Sequence, residues 1–237
     1  MQLFEIFLGY DIPTIRDPEQ LAEALARRAR FLKDLAKEQL NQDNLAIAFY
    51  RDDPSSWSEK VSSIYDFHEV LHQLIEETSI QKGIETTVDA YAQTITYGLF
   101  LARYNSEENI ERNTAYKHIP ESVPIIRTIF RNIADEEKLP SNVSWILDEL
   151  TNVLNATKMQ EAMSKVSENG NRVKDPFYMF YEHFLDIYDP DKKKKMGVYY
   201  TPESVVQFIV KSLHSVLKND FAPIRAPPNP STHNQIG

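Results

Sequence analysis

Apolar residues recur at helical spacing along most of the chain, and polar or proline-bearing stretches separate the runs. The first run, Leu21, Leu25, Leu32, Leu35 and Leu40, has Arg27, Arg28, Arg30, Lys33 and Lys37 on or beside its other face, which predicts an amphipathic surface helix. Asp17-Pro18-Glu19 marks its start: an Asx cap, proline at the first helical position and a carboxylate in the first turn. After the turn-rich Arg51-Asp-Asp-Pro-Ser-Ser, the residues Val61, Ile64, Leu71, Leu74 and Ile75 predict a second helix from Trp57 to Thr78. A third, Thr87 to Tyr104, is apolar on most sides and is expected to be buried. Shorter helices are expected over Val123 to Ala134, Val143 to Leu154 and Ala156 to Val166, fenced by Pro120, Pro124 or Pro140 and by polar turns.

Ser167-Glu-Asn-Gly-Asn-Arg is the best internal boundary. Beyond it come an aromatic helix from Pro176 to Tyr188, a basic turn at Lys192 to Lys195, and a last helix from Thr201 to Lys218. In that last helix Val205, Val206, Ile209, Val210, Leu213 and Leu217 form a broad apolar face that needs a large partner surface. No stretch alternates apolar and polar residues convincingly between hairpin turns. The expected fold is all-α: an irregular multi-helix domain over 1–170, a segment of aromatic helix, basic turn and last helix over 171–220, and a proline-rich linker or tail over 221–237.

Composition narrows the chemistry. With 237 residues, 42% apolar and 26% charged, the chain can build a sizeable core. It has no apolar run of about eighteen residues and no secretion leader at its start, so neither membrane span nor export is expected. The absence of cysteine excludes disulfides, iron-sulfur clusters, thiolate zinc sites and cysteine nucleophiles; together with the missing leader it leads us to expect a cytoplasmic protein. The six glycines never fall in the spacing of a phosphate-cradling loop. Net charge is −9 but uneven: residues 1–170 carry 17 basic and 28 acidic groups, residues 171–225 carry 9 and 7. The basic character sits near the C-terminal end.

Three motifs bear on function. His68-Glu69-Val70-Leu71-His72 matches H-E-x-x-H, which on a helix sets two imidazoles and a carboxylate on one face, as a zinc hydrolase needs. His118 and His183 offer no recognised third-ligand spacing, and both motif histidines border an apolar stripe where half-buried histidine is ordinary, so no metal site is expected. Lys192, Lys193, Lys194 and Lys195 can neutralise phosphates and release counterions, although Asp186, Asp189 and Asp191 weaken the local field. In Gly197-Val-Tyr199-Tyr200-Thr201-Pro202, Thr201 can cap the last helix, Pro202 fits its first turn and Glu203 complements its dipole. Such a helix start suits a small carboxylate ligand, and the adjacent tyrosine rings could cover a cationic group.

Asp175-Pro-Phe-Tyr-Met-Phe-Tyr-Glu-His-Phe-Leu-Asp-Ile-Tyr-Asp-Pro, the following lysines, then G-V-Y-Y-T-P and V-V-x-F-I-V, resemble the segment leading into the catalytic domain of adenine-N6 DNA methyltransferases of restriction-modification systems, of the type IIG and single-chain type I-like kinds. A second block, Val88-Asp-Ala-Tyr-Ala-Gln-Thr-Ile-Thr-Tyr-Gly-Leu-Phe-Leu-Ala-Arg103, is similar to a signature in the helical region of the same group. The resemblance implies that G-V-Y-Y-T-P is motif X, beside the S-adenosylmethionine pocket, with Tyr199 and Tyr200 walling the pocket and Thr201 and Pro202 positioning the helix start. It implies duplex DNA as the partner of the complete enzyme, with contact to its backbone near Lys192 to Lys195, and a methyltransferase α/β core, supplied in cis or in trans, on which the last helix docks.

Two departures bound this. The glycine-rich motif I and the Asn-Pro-Pro-Tyr-type motif that receives a flipped adenine do not occur, and Ala226-Pro-Pro-Asn-Pro lacks the flanking residues the latter requires. No nuclease signature of the E-x-K kind is visible either. The chain is therefore expected to hold no catalytic residue, to be inactive alone, and to couple a catalytic domain to other modules. The alternative is a helical protein-interaction module, a split subunit or remnant, with no catalysis.

Overall fold

The computed structural model describes residues 13–50, 61–74, 80–121, 124–133, 138–168, 176–191 and 203–220. Among the described residues all regular elements are helical, joined by one isolated bridge between Ile15 and Thr157, so the fold is all-α as expected. The chain divides into two units, Met1–Lys193 and Lys194–Gly237.

Helix α1, Pro18–Phe49, starts as its sequence dictates: Oδ1 of Asp17 accepts from the amides of Glu19 at 2.9 Å and Gln20 at 3.1 Å, and Pro18 takes the first turn. It runs past Leu40 and buries Leu21, Ala22, Leu25, Ala26, Ala29, Leu32, Ala36 and Leu40 along one stripe. The alanines leave room for neighbouring helices to approach closely, and each fully buried leucine is worth about 1.5–3 kcal/mol of transfer free energy. The expected amphipathic character is observed. With its charged face outward, α1 is nonetheless the spine of the first unit, packing against five other helices.

Helix α2, Ser63–Leu74, begins later than the apolar spacing predicted. Ser62 is its cap, its carbonyl accepting from Tyr65 at 3.0 Å and its hydroxyl oxygen from the Ile64 amide at 3.3 Å. That cap is set by a tertiary partner. Asp43 of α1, 1% exposed, accepts from the Ser62 hydroxyl at 2.5 Å, the Ser62 amide at 3.3 Å and Gln39 at 2.9 Å. The expected start at Trp57 and end at Thr78 lie outside the described residues.

Helix α3, Ile80–Tyr104, starts ahead of Thr87, carrying Gly83 and buried Ile84 in its first turns. Buried Val88, Tyr91, Ala92, Ile95, Leu99 and Phe100 bear out its expected position in the core. A 3-10 turn at Arg112–His118, not anticipated from sequence, precedes helix α4, Pro124–Ile133. Gly98 lets α4 approach: a Cβ there would lie 2.3 Å from Cε2 of Phe130, which is itself buried.

Helix α5, Ser141–Asn155, contributes Val143, Ile146, Leu147, Leu150 and Leu154 to the same core. Helix α6, Met159–Glu168, starts after the expected Ala156 because that stretch pairs with the chain before α1. The Ile15 amide donates to the Ala156 carbonyl at 3.1 Å, and the Lys158 amide to the Ile15 carbonyl at 2.8 Å. Helix α7, Pro176–Tyr188, is the expected aromatic helix and packs mainly on α1 and α6. It belongs to the first unit, and its Phe180, Phe184 and Tyr188 join that unit's core. Helix α8, Glu203–Asp220, is the regular element of the second unit among the described residues.

Candidate functional site

Tyr199, Tyr200, Thr201, Pro202 and Lys192 to Lys195, expected to meet cofactor and DNA, lie outside the described residues. The flanking helices, α7 before them and α8 after them, are described.

Helix α7 turns one aromatic stripe inward. Phe180, Phe184 and Tyr188, one helical turn apart, are each buried to within a few per cent of completely. Phe180 stacks on Phe100 of α3, centroids 4.0 Å apart and planes at 11°, and Phe184 stacks on Tyr188 at 5.3 Å and 15°. Tyr181 meets Tyr97 edge to face at 5.2 Å. Two phenols supply direction. The Tyr181 hydroxyl donates to Oε1 of Gln93 at 3.3 Å, and the Tyr188 hydroxyl donates to Oδ1 of Asp89 at 2.9 Å.

Asp89 is 3% exposed, on a helix whose buried residues are mainly apolar. Burying a carboxylate there is tolerable because its oxygens are occupied: Lys33 of α1 at 3.1 Å supplies the opposite charge, and Gln93 donates to Oδ2 at 3.0 Å. Burial, and then the Asp89 charge, pushes the Tyr188 phenol up, so its proton stays in place as a donor; burial likewise raises Tyr181. A 340 Å³ hollow beside this cluster is lined by Thr86, Asp89, Gln93, Thr94, Tyr97 and Tyr181.

The blocks 88–103 and 175–190, far apart in the chain, thus form two sides of one joint. Sequence reasoning identified both blocks and assigned no role to Lys33, Asp89, Gln93, Tyr181 or Tyr188. The signal that could have found them was Asp89 itself, an acidic residue on a helix otherwise apolar on most sides, which demands a buried partner.

Helix α8 exposes its apolar residues: Val205, Phe208, Ile209, Val210, Leu213, Val216 and Leu217 are 42% to 71% exposed. It is a long helix whose first residue, Glu203, follows directly on Thr201-Pro202. Among the described residues no helix is long and apolar enough to cross a membrane.

The H-E-x-x-H residues lie on α2. Nδ1 of His68 shares a hydrogen bond with the Thr87 hydroxyl at 2.8 Å, and His72 is exposed with its ring 5.8 Å from that of His68. His118 stands on the 3-10 turn and His183 on α7. Among the described residues no three His, Asp or Glu side chains are grouped to hold a metal ion.

Residues 172–223, spanning α7 and α8, match the family described as N-6 DNA Methylase. A protein of Methanocaldococcus jannaschii, named as a type II restriction enzyme and methyltransferase, is 26% identical over 147 residues, covering 61% of this chain and 12% of that protein. The chain thus corresponds to a small part of that relative's length. No solved structure matches. The two blocks that meet at Asp89 precede or lie within the matched region, and it is over residues 172–223 that the chain is similar to the N-6 DNA methylases.

Proposed function

We propose that this chain is the N-terminal part of an S-adenosylmethionine-dependent adenine-N6 DNA methyltransferase, its helical unit coupling the catalytic domain to the other modules of a restriction-modification enzyme. The family match over residues 172–223 carries the proposal. The M. jannaschii relative, restriction enzyme and methyltransferase together, supports the restriction-modification setting.

The donor set suits the cofactor. The start of the 18-residue helix Glu203–Asp220 presents free amides and a positive dipole end to a carboxylate, and Thr201 and Pro202, directly before it in the sequence, are of the types that favour a helix start. Tyr199 and Tyr200 offer ring faces to a sulfonium. S-adenosylmethionine carries both groups and, when bound, supplies the methyl group to the exocyclic nitrogen of adenine. Lys192 to Lys195 neutralise the phosphates of duplex DNA close to that site. The apolar face of α8 docks on the α/β catalytic core, whether that core is joined in cis or arrives in trans.

The chain has neither a glycine-rich motif I nor an Asn-Pro-Pro-Tyr-type motif, so on this reading it transfers no methyl group unaided. The test is incorporation of labelled methyl into adenine-containing duplex DNA by the chain alone and together with a catalytic domain bearing both motifs. Incorporation only in the combined sample is the expected result. Transfer by the isolated chain, or none by the combination, would overturn the proposal.

A further inference from the structure

Among the described residues the two buried carboxylates of the helical unit do different work. Asp43 serves the turn at Ser62, a local matter of capping α2. Asp89 gathers groups from three helices: Lys33 of α1, Gln93 of its own α3 and Tyr188 of α7. We propose that Asp89 is a positioning residue, which by holding the Tyr188 phenol fixes where the chain leaves the helical unit on its way to residues 192–202.

Directionality sets this bond apart from the packing around it. Most of the α7 interface is aromatic and aliphatic, and apolar burial is indifferent to small slides and rotations. Hydrogen bonds are not, and the two phenols provide them. Of these the Tyr188 bond is the shorter, at 2.9 Å against 3.3 Å, and its acceptor is an ionised carboxylate, the stronger class of bond. It also stands at the last residue of α7, four residues before Lys192, where a small rotation is passed on most directly to the residues beyond the helix. Lys33 anchors the same oxygen to α1, so the exit point is referred to the spine of the unit and not to α3 alone. This deepens the function proposed above and rests on its placing of Tyr199 to Pro202 beside the cofactor.

Hydrogen–deuterium exchange on the full chain, resolved by peptide, tests the clamp. In Asp89→Asn, exchange across residues 180–188 is expected to rise at least about tenfold while Ser141–Asn155 changes less than about twofold. Tyr188→Phe should produce a smaller rise in the same place. An equal rise in both helices, or none in either, overturns the proposal; if Asp89→Asn does not fold, Tyr188→Phe decides by the same criterion. With the catalytic domain present, Tyr188→Phe should raise the KM for S-adenosylmethionine at least about threefold with kcat nearly unchanged. A selective rise in exchange with an unchanged KM would reduce Asp89 to a docking contact and overturn the positioning role. Absence of methyl transfer in the unmodified assembly would sink the proposed function and leave the exchange result standing.

Discussion

The rings of Phe100 and Phe180 lie parallel to within 11°, their centroids 4.0 Å apart, and this stack joins α3 to the aromatic helix. Both side chains are buried. Phe180→Ala is expected to cost about 3–5 kcal/mol, and Phe180→Leu less than half of that, because leucine keeps most of the volume. Guanidinium denaturation of the full chain measures both. A loss under about 1 kcal/mol for the alanine variant would mean that α7 contributes little to the core.

Gly98 faces ring carbons of Phe130 that would stand 2.3 and 2.5 Å from an added Cβ. Glycine to alanine in a helix ordinarily gains up to about 1 kcal/mol. Here overpacking opposes that gain by about 1–3 kcal/mol, so Gly98→Ala is expected to lower the thermal midpoint. Combining it with Phe130→Leu, which frees space at the contact, should recover part of the loss. A Gly98→Ala protein more stable than the parent would contradict the close approach of α3 and α4.

The Asp43 carboxylate accepts from both the amide and the hydroxyl of Ser62. Removing it in Asp43→Ala leaves buried donors unpaired and should cost about 1–3 kcal/mol. Ser62→Ala in the same background is expected to add little, giving a coupling of at least about 0.5 kcal/mol in a double-mutant cycle. Strict additivity would show that the two residues do not act as one cap.

Two groups on α2 give stability a pH dependence. Burial lowers the pKa of His68, His72 adding to the fall and Glu69 opposing it. Below about pH 6.5 the unfolded chain takes up a proton here that the folded chain refuses, so this contribution is complete above that pH and is lost as pH drops towards the folded value. His68→Gln should flatten the decline between about pH 7 and 5. Tyr65 behaves in the opposite sense: burial, with help from Glu69, raises its phenol from 10.0 to about 12. Between those values the unfolded phenol has ionised and the folded one has not, so stability falls with rising pH, and Tyr65→Phe should remove that slope. Denaturation series across pH for parent and variants decide both cases; parallel curves would reject them.

The phosphate contacts proposed for Lys192 to Lys195 predict a salt signature. If each neutralises one phosphate, replacing all four by alanine should reduce the slope of log affinity against log salt by up to about 3.6, at about 0.9 per contact. Fluorescence anisotropy of labelled duplex DNA with the complete enzyme measures it. An unchanged slope would assign these lysines to solvation.

Much of the fold is legible along the chain because the helices announce themselves locally. Asp17 with Pro18 sets the start of α1, and the aromatic period of residues 176–188 sets α7. Where expectation and structure part, a distant residue decides. The start of α2 waits for Ser62 because Asp43 holds it there, and α6 begins at Met159 because Ile15 claims the backbone of Ala156 and Lys158. No periodicity within either stretch encodes those partners. The site divides in the same way. The two family blocks could be read as strings, but that they touch could not, since the contact depends on where α1 places Lys33.

Because α1 packs on α3, α5 and α7 together, its buried face cannot be fully covered until Tyr188 has been synthesised. At a translation rate of about 5–20 residues per second, that interval leaves the longest of the described helices with an open leucine and alanine stripe for many seconds. The last strip to close it lies in the segment that matches the N-6 DNA methylase family. The order of synthesis therefore makes completion of the helical unit wait for α7, and a ribosome pausing before residue 176 would leave that stripe open to misassociation.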